Sequence, residues 1–155
     1  MHPAVKTIVT AAEKLRGLEG ILRDHEIDIE TGEPEHRWGD TYVDLNRGVR
    51  SGSYRLQVEF HCRVDDDDRC SVASLAIHVG DDPNDSAAIS LDCSVGVDDS
   101  RWTFYIGETN IPGLTDELER EYGDYGQLTD AQVIAIANRI AAFFAQQLRA
   151  AKSPR

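Results

Sequence analysis

From Tyr54 to Val64 the chain alternates without a break. Tyr54, Leu56, Val58, Phe60, Cys62 and Val64 fall on one parity, and Arg55, Gln57, Glu59, His61 and Arg63 fall on the other. Successive side chains of a strand point to opposite faces, so this pattern demands a strand with one face buried and one solvated. A sheet solvated on one side is characteristically antiparallel, and this one stretch therefore constrains the whole architecture.

Further strands follow at short intervals. Cys70 to Val79 reads as a second strand, Ala87 to Val95 as a third and Arg101 to Gly107 as a fourth, with Ile89, Leu91, Cys93, Val95, Trp102, Phe104 and Ile106 inward. Connections this short imply sequential antiparallel pairing, a meander. In the second strand the apolar positions are Cys70 and Val72, then Leu75, Ile77 and Val79. A strand cannot change faces without an extra residue, which predicts a β-bulge near Ala73–Ser74. Upstream, Thr41 to Asn46 reads as a strand and "RGVRSGS" as a turn. Residues 24–40 read as an irregular acidic segment, with Ile27 and Ile29 able to make a short edge strand and Trp38 serving as a flap that anchors onto the sheet.

Helices bracket the strands. Val5, Ile8, Ala12, Leu15 and Leu22, joined by Ala11 and Leu18, recur at helical spacing, with Gly17 and Gly20 predicting a stop near Gly20. "LTDELEREYG" predicts a short helix with Thr115 as N-cap, acids in the first turn and Gly123 as stop. "LTDAQVIAIANRIAAFFAQQLRAA" predicts a long one, with Thr129 and Gln132 forming a capping box. The expected fold is a single α+β domain over residues 1–155: an N-terminal helix, an antiparallel meander of four to six strands, a short helix and a long C-terminal helix. The first and last helices would cover the apolar sheet face in a two-layer sandwich.

The 28 acidic and 16 basic side chains give a formal charge of −12. Such a surface repels nucleic-acid phosphates and anionic lipid, and favours fast, salt-sensitive docking to a basic protein. The three cysteines are sparse and odd in number. With no signal-peptide pattern and no run of about 18 apolar residues, a reduced, cytoplasmic setting is expected.

The stretch that most advertises chemistry is "VDDDDRC". Asp65, Asp66, Asp67 and Asp68 lack the turn glycine and the downstream bidentate glutamate of a calcium loop. They read as a solvated hairpin loop, as do Asp81, Asn84 and Asp85. Alternate turns of a meander leave the sheet at the same end, so Asp65 to Asp68 would share a pole with Asp98 and Asp99. Pairing the apolar faces puts Phe60 opposite Leu75 and Leu75 opposite Leu91. That register sets His61, Ser74 and Asp92 side by side on the polar face. Serine would then lie between the other two, whereas a catalytic triad needs histidine in the middle. His78 would face Gln57 and Ala88, away from His61, and no four ligands converge for zinc. No catalytic set, metal or cofactor is therefore expected.

The remaining feature is the polar face itself, where Arg55, His61, Arg63, His78, Asp92 and Tyr105 surround small residues. Together with Trp38 and the acidic pole, it is the expected partner-binding surface. Charge and architecture resemble bacterial immunity proteins that neutralise a toxin and, as the alternative, secretion chaperones that hold an effector. The helix–meander–helix order lacks the mid-sheet helix expected of the chaperones, which favours the immunity class. Non-enzymatic binding of a basic toxin or effector, by a monomer or homodimer, is the expectation. A small-molecule or metal-binding domain using the polar face is the rival.

Overall fold

The computed structural model describes residues 3–29, 33–38, 42–63, 70–80, 87–123 and 126–152, with the backbone alone at 33–38, 42–44, 63 and 70–73. Six strands form one antiparallel sheet in chain order: β1 (Glu33–Trp38), β2 (Tyr42–Ser51), β3 (Tyr54–Arg63), β4 (Cys70–Val79), β5 (Ile89–Val95) and β6 (Ser100–Ile106). Helix α1 (Pro3–Asp24) precedes them, and α2 (Thr115–Tyr122) and α3 (Asp130–Lys152) follow. The two-layer α+β arrangement is the expected one.

Both long helices lie on one side of the sheet. α1 runs over β3, β4 and β5, while α3 reaches β2, β5 and α1. The core joins Leu56, Val58, Phe60 and Cys62 of β3 to Leu75 and Ile77, to Leu91 and Cys93, and to Ile136, Ile140 and Phe144 of α3. This is the even parity of β3, so the alternation from Tyr54 does mark the buried face.

α1 differs from expectation in length and facing. It continues through Gly17 and Gly20 to Asp24 and buries Thr7, Ala11, Leu18 and Leu22. Val5 and Ile8, expected inward, are exposed together with Val9. The helix carries two apolar stripes, and the one ending in Leu18 and Leu22 meets the sheet. The C-terminus then closes as a Schellman motif. Glu26 N–H donates to Arg23 O at 2.9 Å and Ile27 N–H to Leu22 O at 2.9 Å, with Ile27 and Leu22 both buried, as the motif prefers. The residue that makes the turn, Glu26, holds φ 61°, a left-handed conformation in which a Cβ is strained. Glu26→Gly is expected to raise stability by about 1 kcal/mol, a gain of roughly 2–4 °C in Tm. Thermal melts of the two chains check it, and an unchanged or lower Tm would refute the account of this turn.

Three strand expectations need correction. Residues 33–38, expected to be irregular, form edge strand β1, so Trp38 ends a strand opposite Val43 and is not a flap. Ile27 and Ile29 lie outside any strand but are buried. The "RGVRSGS" stretch is mostly strand: β2 runs to Ser51, and only Gly52 and Ser53 turn. Gly52 has φ 60°, while Ser53 is not left-handed. Glycine first in a two-residue loop is the signature of a type II′ hairpin turn, whose twist suits the strands it joins.

The bulge falls slightly upstream of its expected place. Cys70 pairs with Val95 and Ala73 with Cys93, so three steps on β4 match two on β5 and the extra residue lies between Cys70 and Ala73. Ala73, opposite both Phe60 and Cys93, is already on the inward parity.

The two later helices start differently. In α3 the capping box is present: Gln132 N–H donates to Thr129 Oγ1 at 3.2 Å, and Thr129 N–H to Gln132 Oε1 at 2.8 Å. Thr115, expected to be the cap of α2, is instead its first helical residue, after Leu114, and no side chain caps that end. The buried Thr115 hydroxyl serves the preceding turn, accepting from Ile111 N–H at 2.8 Å and donating to Asn110 Oδ1 at 2.5 Å. Arg139 of α3 clamps α2 by ion pairs to Glu117 at 2.6 Å and Glu121 at 3.6 Å.

Candidate functional site: the open sheet face

With the helices on the even parity of β3, the odd parity forms the opposite face. Register arranges this face in cross-strand rows. One row is Asn46, Glu59, Ser74, Asp92 and Thr103; the next is Gly48, Gln57, Ala76, Ser90 and Tyr105; a third is Arg50, Arg55 and His78. Glu59 and Asp92, separated by Ser74, are two strand spacings apart, about 9.6 Å, and the acidic row lies about 13 Å along the strands from the arginine row. The acidic row therefore lies between the arginine row and the register positions of Arg63 on β3 and Arg101 on β6 at the other end of the face.

The small residues of the middle strands form its floor. Ser74, Ala76 and Ser90 are buried although both long helices lie on the other face of the sheet. Tyr105 is 49% exposed at the β6 side. Among the buried polar atoms of this face, Asn46 Oδ1 and Arg55 Nε have no hydrogen-bond partner among the described residues.

Burial has a measurable effect on Asp92. It pushes the carboxyl above the ordinary carboxylate range, and the Ser90 hydroxyl, which donates to Asp92 Oδ1 at 2.8 Å, only partly offsets it. A raised carboxyl binds its proton more tightly in the folded chain than in the unfolded one. Stability therefore falls as pH rises from about 3.9, the unfolded value, through the folded value. Asp92→Asn is expected to be more stable than the native chain at pH 7, with the difference vanishing below the unfolded value. Urea denaturation across that range checks this; a difference independent of pH would contradict it.

The expected row of His61, Ser74 and Asp92 does not form. Ser74 and Asp92 are neighbours as expected, but Glu59 takes the place assigned to His61, which lies opposite Asp44 and Val72. Phe60 faces Ala73, not Leu75, and His78 faces Arg55, not Gln57. Leu75 does face Leu91. The β3–β4 register is two residues from the expected one. Sliding a strand by two residues keeps every side chain on its face, so the apolar pattern could not distinguish the two. Sequence reasoning thereby missed Glu59, Asn46 and Thr103 as members of this row; their polar parity was the signal available.

Asp65, Asp66, Asp67 and Asp68 lie outside the described residues, as do Asp81, Asp82 and Asp85. The strand ends bracketing residues 64–69 are at the same end of the sheet as the 96–99 turn, as the meander requires. In that turn Asp98 pairs with Lys6 at 3.6 Å and Asp99 with Arg101 at 3.2 Å, all of them exposed. These ion pairs offset part of the negative charge expected there. Arg63 ends β3 opposite Tyr42, and its side chain is not described.

Cys62 and Cys93 are buried free thiols. Burial pushes Cys93 up to about 11, against a smaller opposing effect of Lys14 on α1, so it packs as a small apolar residue. Among the described residues no group of His, Cys, Asp and Glu side chains converges as a metal site, and no helix is long and apolar enough to cross a membrane. No protein-family model matches the chain, and no curated protein matches it in sequence.

Proposed function

We propose that the chain is a non-enzymatic binding module that receives a basic protein on its open sheet face. The observation that carries this reading is the placement of both long helices on one side of the sheet. The other side keeps rows of polar side chains, with buried atoms still lacking partners among the described residues. A formal charge of −12 supplies the long-range attraction. Cationic groups of the partner would meet Glu59 and Asp92, and Arg55 would meet an acidic group at its margin. Pairing of Asp92 with such a cation would favour its charged form, against the burial that raises its pKa.

Within that class, an immunity-type inhibitor of a bacterial toxin or effector fits best, acting in the cytoplasm by covering a cationic active site. The meander in chain order, with no helix between its strands among the described residues, favours it over a secretion chaperone. The test is co-expression with the product of the adjacent reading frame, followed by stopped-flow association at low and high salt. Steering by the acidic surface predicts an association rate that falls steeply as salt screens the charges, with a smaller change in dissociation. A rate indifferent to salt would remove the electrostatic part of the proposal.

A further inference from the structure

Five large apolar side chains are exposed among the described residues, and three of them stand together on the first two turns of α1: Val5 at 47%, Val9 at 44% and Ile8 at 40%. Their spacing of three and four residues puts them on one face. Ala12, half-buried, and the exposed Arg16 extend that face along the helix. The residues α1 gives to the sheet, Thr7, Ala11, Leu18 and Leu22, lie on the opposite side. The stripe thus points away from the domain's own core.

We infer that this stripe is a self-association surface, through which α1 packs antiparallel against α1 of a second copy about a two-fold axis between Val9 and Ala12. Charge decides the occupant and the direction. Lys6 and Glu13 are exposed on the same flank of the stripe, two turns apart. In an antiparallel pair each Lys6 comes within reach of the second copy's Glu13, twice by symmetry, whereas a parallel pair places the Lys6–Glu13 flanks of the two copies on opposite sides of the seam and forms neither pair. Val9 packs on the second copy's Ala12, whose small side chain lets the helices approach to about 8–10 Å. The stem of Arg16 covers the second copy's Val5 while its guanidinium stays in water. Lys6 already bonds Asp98 at 3.6 Å, but both side chains are exposed and the contact yields readily.

Three exposed side chains fall short of the roughly 800 Å² per partner that a stable interface buries. The dimer is accordingly weak, with half-association above about 10 µM. A partner of one charge sign would meet both Lys6 and Glu13 and gain from only one of them. The inference is independent of what the open sheet face binds.

Sedimentation equilibrium of the full chain from about 5 to 500 µM tests it. The weight-average mass should rise from 17.2 kDa towards twice that value. Val9→Asp should keep it at the monomer value, with an unchanged circular-dichroism spectrum showing that the exposed position is not needed for folding. Lys6→Glu and Glu13→Lys should each weaken association about tenfold, and the two together should restore it. A native chain that stays monomeric throughout, as it would if the stripe served another protein or a lipid surface, overturns the inference. So does a dimer that survives Val9→Asp, or a double reversal that fails to restore association.

Discussion

Truncating Phe144 to alanine is expected to cost about 3–5 kcal/mol, the largest loss from a single side chain in this domain. Phe144 is fully buried and heads the largest fully buried side chains of the described residues. It sits on α3 where that helix faces the sheet, within the core shared by α1, α3 and the inward parity of the strands. Its removal loses the transfer free energy of an aromatic ring and leaves a cavity that surrounding β-branched and helical residues cannot fill. Domains of this size are held by about 5–15 kcal/mol, so the variant should be marginal, and urea denaturation at low temperature is the suitable measurement. The neighbouring Phe143 supplies the comparison. It is only partly buried and meets Tyr54 edge-to-face, with centroids 5.3 Å apart at 79°. Phe143→Ala should therefore cost distinctly less, the aromatic contact itself contributing about 0.5–1.5 kcal/mol. Equal losses at the two positions would mean that α3 is rotated from the orientation described.

The second large effect concerns the middle of the sheet. Leu91→Ala should cost about 2–5 kcal/mol. Leu91 is fully buried on β5, opposite Leu75 of β4 on one side and Phe104 of β6 on the other. Because Leu75 and Leu91 are directly opposed, Leu75→Ala and the double variant complete a cycle that reads the register. A coupling of at least about 0.5 kcal/mol is expected for such a contact. Additive losses within experimental error would indicate that the two leucines are not cross-strand partners, and the rows of the open face would have to be redrawn.

The fold was legible wherever one periodicity stood alone. The unbroken alternation from Tyr54 to Arg63 marked the two faces of the sheet, and the parity change between Val72 and Leu75 announced a bulge, which lies slightly upstream between Cys70 and Ala73. The capping residues Thr129 and Gln132 marked the start of α3. Other elements were hidden for physical reasons. β1 carries Pro34 and several charges, which an edge strand tolerates and an interior strand does not, so its composition resembles a loop. β2 contains Gly48 and two arginines, yet Leu45 and Val49 still pack on the core. In α1 two apolar stripes compete, and helical spacing alone does not say which one meets the sheet.

The candidate site was legible to the same depth. Arg55, His78, Asp92 and Tyr105 do share the open face, because parity is a property of each strand by itself. Which of them are neighbours depends on register, and the pattern specifies register only to within two residues. Hence Glu59, not His61, completes the row with Ser74 and Asp92.

The most direct test of the proposed role compares two surfaces against one partner. The double variant Glu59→Lys, Thr103→Lys reverses the charge of the acidic row on the open face, whereas Ile134→Ser alters a side chain of α3 that is 55% exposed outside that face. Calorimetric titration of each with the co-expressed basic protein should show the sheet-face variant weakened by about a hundredfold or more, as loss and reversal of charge at a docking centre implies. The α3 variant should bind as the native chain does. Native-like affinity in the sheet-face variant, or an equal loss in both, would contradict the assignment of the open face as the binding surface.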